Sequence, residues 1–206
     1  CQVLCLALLL GSHTSLFAAG DRDRAEQDRI ITILKAYEFQ PSLKIWNEMG
    51  LERVNKTLAE ISLASGAEPR LRRRAILALG DIPSDRTFVT LRAVLGSRQS
   101  SLGLKRQALV SFAHAFPKKS FEQVHQELLG KSKFMREAAA LALTYVQDVR
   151  VDTLVLERIS LDSEMVVRTA LERTKEMRLR MKSKPSSKTY RAPSIAPLTP
   201  AQRDGL

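Results

Sequence analysis

After Cys5 the sequence contains no cysteine, and both cysteines, Cys1 and Cys5, fall within the first twenty residues. Removal of that segment would exclude disulfides, thiolate catalysis and cysteine metal sites together. Aromatic residues are scarce at 5% and glycines number nine, whereas alanine and leucine are abundant in a composition that is 44% apolar. That mixture favours helices filled by small and aliphatic side chains.

Catalytic signatures are equally sparse. Beyond residue 20 the only histidines are His114 and His125, and neither belongs to an H-E-x-x-H or similar ligand spacing. They read as surface or helix-end histidines. No G-x-S-x-G, no Walker-type loop and no carboxylate set with calcium spacing is present. The sequence therefore assigns no catalytic residue, no metal ligand and no cofactor, and predicts a protein that is not an enzyme.

The first twenty residues also lack Lys, Arg, Asp and Glu. Their apolar run, Val3 to Leu10, suits the central region of a secretory signal, and Ala18-Ala19-Gly20 supplies the small residues of a cleavage site. The reading is a signal peptide over 1–20, removed after Gly20, with a periplasmic or secreted mature protein. The missing Met and basic leader are those of a sequence clipped at its start. A membrane anchor is disfavoured because eight contiguous apolar residues are too few to span a bilayer and Gly11 to Thr14 interrupt the run. Cys5 lies at the start of the apolar run instead of following it, which argues against lipidation.

What the chain does contain is a repeat. Leu71-x-Arg73-x-Ala75 recurs as Leu104-x-Arg106-x-Ala108, Phe134-x-Arg136-x-Ala138 and Val166-x-Arg168-x-Ala170, with steps of 33, 30 and 32 residues between the arginines. A second pattern follows in phase: Phe88, Leu91 and Leu95, then Phe121, Val124 and Leu128, each at i, i+3 and i+7. Each unit thus predicts two short amphipathic helices, joined by turns at Gly80-Asp81-Ile82-Pro83 and Phe116-Pro117-Lys118-Lys119. A helix-turn-helix period of this length is that of an α-solenoid.

The unit EPRLRRRAILALGDIPSDRTFVTLRAVLGS, residues 68–97, resembles a short HEAT repeat of the type noted in phycobilisome-lyase-like proteins. DSEMVVRTAL at 162–171 is a further close match, while QSSLGLKRQALVSF and KSKFMREAAALAL depart from the pattern in lacking the acidic residue before the motif and the glycine after it. The resemblance implies an all-α solenoid of antiparallel helix pairs, four to five by the repeat count, and says little about activity. Related repeats act as protein-binding scaffolds, enzyme subunits and, in one divergent group, DNA glycosylases.

Four segments follow: the signal peptide 1–20, irregular N-terminal capping helices over 21–66, HEAT-like repeats over 67–177, and a basic Pro/Ser-rich tail over 178–206, read as disordered. The tail holds seven Lys and Arg residues against Asp204 alone, more than half of the chain's net charge of +11. Trp46 is read as core filling in the cap.

Arg73, Arg106, Arg136 and Arg168 recur so regularly that they are assigned a structural role between repeats. Arg72 and Arg74 are extra, expected to be solvated, and candidates for a partner contact. The resemblance implies that second helices line the concave groove. There the phase presents Arg86, Thr90, Ala93 and Ser97, followed by Lys119, Gln123, Gln126 and Gly130, a polar and mildly basic strip without aromatics. The expected function is an exported scaffold binding a protein or an anionic envelope polymer, with the basic tail adding attraction. The alternatives are a nucleic-acid-binding or DNA-repair protein, which export opposes, and an accessory or lyase-like partner of a tetrapyrrole enzyme, which rests on the resemblance alone.

Overall fold

Ser84, Ser101 and Ser132 each stand just before a helix and accept a hydrogen bond from the backbone N–H three residues on, from Thr87, Leu104 and Met135. These caps satisfy amides that the first helical turn leaves without partners. Pro69 opens another helix, where its missing N–H costs nothing. The computed structural model describes residues 24–36 and 42–183; the expected signal segment and everything after Ser183 lie outside them.

All regular secondary structure among the described residues is helical. The helices are α1 (24–35), α2 (Leu43–Glu48), α3 (Leu51–Leu63), α4 (Pro69–Gly80), α5 (Asp85–Gly96), α6 (Leu102–Ala115), α7 (Phe121–Leu128), α8 (Lys133–Ala142), α9 (Val151–Leu161) and α10 (Met165–Ser183). None of them is long and apolar enough to cross a membrane.

The chain divides into two compact units after Thr57, within α3. The first contains α1, α2 and the start of α3. It buries Ile30, Leu34, Trp46, Met49 and Val54 and pairs Arg53 with Glu26. Gly50, between α2 and α3, has φ +83°, a left-handed conformation that a side chain would strain.

The second unit begins at Leu58, so the latter half of α3 falls in the same unit as the repeats. Its first helices, α4, α6, α8 and α10, stack on one another in order, which makes the arrangement solenoid-like. Its second helices, α5, α7 and α9, each pack mainly on the first helix that follows rather than on the one before. One continuous apolar cluster runs from Leu109 and Val124 through Leu143 to Leu171.

Close approach of the first helices depends on small residues. A Cβ on Gly80 would lie 3.2 Å from the Ser111 Cβ and 3.3 Å from its Cα, in the backbone of α6. Farther along, Thr174 of α10 donates a 2.7 Å hydrogen bond to the Ala140 carbonyl of α8 and, 3.2 Å away, accepts one from the Thr144 hydroxyl. The helix α10 itself overruns the sequence boundary at 177. It continues through Ser183, so the first residues assigned to the tail are helical.

Gly80→Val should destabilise the protein by about 1–3 kcal/mol, because the added methyls must displace the α6 backbone. Gly103→Ala, with open space around the new Cβ, should be neutral or stabilising by up to ~1 kcal/mol. Urea unfolding of both variants checks the contrast; equal midpoints would mean that α4 and α6 are not in close contact.

Candidate functional site

The recurring arginines do not all make the same contact. Arg106, only 4% exposed, reaches from α6 to Glu137 of α8 at 2.5 Å and lies 5.9 Å from the Phe134 ring centre. Arg136 of α8 grips Asp162 through two hydrogen bonds, at 2.8 and 3.2 Å, and also donates to the Gly130 and Lys131 carbonyls. Arg168 of α10 donates to the carbonyls of Asp162 and Ser163, both at 2.8 Å. Arg136 and Arg168 therefore bond to the carbonyls six and five residues upstream, tying each first helix to the linker that leads into it. Arg73 departs from this: it is half-buried and makes no hydrogen bond or ion pair among the described residues. Burial, and then the nearby charge of Arg70, lower its pKa.

Asp162 is the acceptor on which this end of the stack converges. Its carboxylate is almost fully buried and receives Arg136, Arg158 at 3.2 Å and the Glu164 amide at 3.0 Å. Burial alone would raise its pKa, but the hydrogen bonds from Arg136 and the Glu164 amide outweigh that and hold it below the ordinary value of 3.8. Arg178, placed by the sequence in the tail, bonds Asp152 at 2.7 Å and the carbonyls of Leu143 and Val146 at 3.1 and 2.9 Å. Lys182 pairs with the same Asp152.

The candidate partner residues separate into three groups. Arg72 and Arg74 are half-buried instead of solvated, and Arg72 donates to the Ser62 carbonyl at 3.2 Å. Thr90 is only 3% exposed: the buried arc of α5 runs through Thr87, Thr90, Leu91 and Val94, so Thr90 faces inward and leaves the strip. The reason is that α5 touches two first helices, which widens its buried arc beyond a simple stripe. Arg86, Ala93, Lys119 and Gln126 are exposed, while Ser97, Gln123 and Gly130 are half-buried and Gln123 donates to Glu127 at 3.5 Å.

Aromatic residues are also closer to this strip than the sequence suggested. Phe88, Phe112 and Phe116 form a triangle with ring centres 5.2–5.5 Å apart, and Phe88 and Phe116 are only half-buried. Arg92 and Lys119 lie 5.7 and 6.0 Å from the Phe88 ring centre. One repeat on, the Arg150 guanidinium sits 3.7 Å over Phe121, fastened by Asp148 and Glu122. The hydrogen bonds from Arg150 pull the Asp148 carboxyl down to about 2.

Of the two readings of His114, surface or helix-end, the second holds. It lies in the last turn of α6, largely buried, against Tyr145, with Nδ1 3.6 Å from the Asp81 carboxylate. Burial lowers its pKa from 6.5, and Asp81 only partly opposes the shift. His125 stacks on Phe121 in the last turn of α7. Among the described residues no group of His, Cys, Asp and Glu side chains is arranged to hold a metal ion.

Sequence reasoning missed Glu137, Asp162 and Asp152, the carboxylates that answer the arginines. Their signal was present: each stands about one repeat from its partner, at separations of 31, 26 and 26 residues.

Asp162→Asn should cost about 3–5 kcal/mol, because it breaks a buried pair and leaves Arg136 uncompensated. The wild type should hold the part of its stability linked to the lowered Asp162 pKa above the ordinary carboxylate value, and lose that part as pH falls from 3.8 through the lower folded value. Urea titrations across that range should show the slope in the wild type and a flatter profile in the variant. The His114 ring should titrate below 6.5 by NMR, and stability should fall as pH drops through the same interval, since the folded state disfavours the charged imidazole. A titration at or above 6.5 would contradict the burial. No protein-family model matches the chain, and no curated protein aligns with it significantly.

Proposed function

We propose that the protein is a non-enzymatic scaffold of HEAT-like repeats that binds another protein through the solvent faces of its second helices. The observation that carries this reading is that each second helix leaves a large apolar side chain in water, within α5 and α9 and at the C-terminal end of α7. Val89 at α5 is 66% exposed, Leu129 at α7 55% and Leu156 at α9 54%. Polar residues surround them: Arg86 and Arg92, Glu122 and Gln126, and Thr153 and Glu157. An apolar centre with a polar rim is the composition of a protein contact, and the three side chains recur on successive second helices.

The ionisable groups with displaced pKa values serve packing in this reading. Arg106, Asp162 and Asp152 join helices, and His114 fills space between them. The same accounting weakens a nucleic-acid reading, because Arg72, Arg106, Arg136, Arg158, Arg168 and Arg178 all bond to carbonyls or carboxylates of the protein. Export to the periplasm or medium remains part of the proposal and rests on the sequence of residues 1–20.

Two measurements test it. The mass of the protein recovered from the exported fraction should begin at Asp21; an uncleaved cytoplasmic chain would remove export from the reading. A photo-crosslinking amino acid placed at Val89, Gln126 or Leu156 should capture the same protein in cells, whereas one at Glu172, exposed on α10, should not. Silence at all three second-helix positions would overturn the scaffold.

A further inference from the structure

Charge in the second unit is unevenly distributed along the sequence. From Arg86 to Phe121 the sequence contains seven Lys and Arg residues and no Asp or Glu. Of the seven, Arg106 is paired with Glu137. Arg86, Arg92, Arg98, Lys118 and Lys119 are exposed, and their side chains make no hydrogen bond or ion pair among the described residues. The carboxylates resume at Glu122 and recur in the following repeats as Glu127, Glu137, Asp148, Asp152 and Glu157.

Within this anion-free stretch, two of the unpaired cations converge on one ring. Arg92, one turn along α5 from Phe88, and Lys119, in the turn between α6 and α7, both lie within 6.0 Å of the Phe88 ring centre. The neighbouring Phe116 meets Phe88 nearly edge-on at 5.2 Å and is likewise half-buried. Val89 stands beside them in solvent. Two cations, the exposed parts of two rings and an aliphatic side chain thus occupy one surface. The one carboxylate of α5, Asp85, is two helical turns from Arg92.

We propose that this surface is a docking site for a short acidic peptide segment of a partner protein. A carboxylate of the segment would be held by Arg92 and Lys119, and an apolar side chain next to it would lie on Phe88, Phe116 and Val89. The proposal rests on the scaffold reading and names the partner's chemistry. Charge complementarity selects the occupant: the stretch from Arg86 to Phe121 contains no carboxylate, and Arg92 and Lys119 at its surface have no anionic partner among the described residues. The same distribution disfavours a nucleic acid, because a phosphate chain following the second helices would meet Glu122 and then Asp152 and Glu157.

The test uses the full chain with a short fluorescein-labelled peptide of Glu, Phe and Ser, its Lys-for-Glu counterpart, and single-stranded oligo-dT, read by fluorescence anisotropy. The acidic peptide should bind, the basic one should not, and Arg92→Glu/Lys119→Glu should weaken binding at least about tenfold. Arg92→Met/Lys119→Met keeps the stems over Phe88 and should also lose affinity, with thermal unfolding by circular dichroism unchanged in both variants. Equal binding of the acidic peptide by wild type and variants would overturn the site, as would oligo-dT binding that depends on the same two residues. Crosslinks at Gln126 and Leu156 without any at Val89 would sink this docking site and leave the scaffold standing; silence at all three positions would sink both.

Discussion

The stacking of α4, α6, α8 and α10 on one another is the contact from which the rest of the second unit follows. Each of these helices contributes small residues to the shared interface, Ala75, Ala78, Ala108, Ala138, Ala142 and Ala170 among them, all buried. Small side chains let helix axes approach, and close approach brings backbone within reach of neighbouring polar groups. That is why the Ala140 carbonyl can take a hydrogen bond from Thr174 and why Gly80 can lie against Ser111. A repeat in such a stack has no core of its own, and its stability is shared with its neighbours.

The arginines serve this geometry from its edges. A guanidinium has five donors in a fixed plane, so one side chain can hold a carboxylate and two carbonyls together. Arg136 does this between α8, its own linker and Asp162, and Arg178 does it between α10, the segment after α8, and α9. Among the described residues, Arg72, Arg106, Arg136, Arg158, Arg168 and Arg178 are turned onto carbonyls and carboxylates of the protein, while Arg86, Arg92, Lys118 and Lys119 on α5 and before α7 are among those left free.

The helical period was legible because one arginine and one alanine return at nearly constant spacing, and the apolar phase of the second helices follows them. Phe121, Val124 and Leu128 are buried as that phase requires, and Trp46 is buried in the first unit. Thr90 was misjudged because three apolar positions define a narrow stripe, whereas a helix touching two neighbours buries a wider arc in which threonine methyls pack well. Arg178 was assigned to the tail by composition, and its partners come from residues far away in sequence. The same holds for Arg72, whose bond to the Ser62 carbonyl spans the linker between α3 and α4. Properties set by local spacing could be read directly. Properties set by which carboxylate or carbonyl lies opposite could not.

The preference of α5, α7 and α9 for the first helix that follows them has a consequence for how such a chain can be lengthened, shortened or recombined. The sequence repeat begins with a first helix and ends with a second, but the packed module begins with a second helix and ends with a first: α5 with α6, α7 with α8, α9 with α10. A duplication or deletion cut at the sequence boundary would separate helices that belong together and expose an apolar face on each side of the join. A cut placed in the turns before α5 or α7 would move whole modules and leave their internal packing intact. The unit of inheritance that disturbs this fold least is thus offset by one helix from the unit that the eye picks out of the sequence.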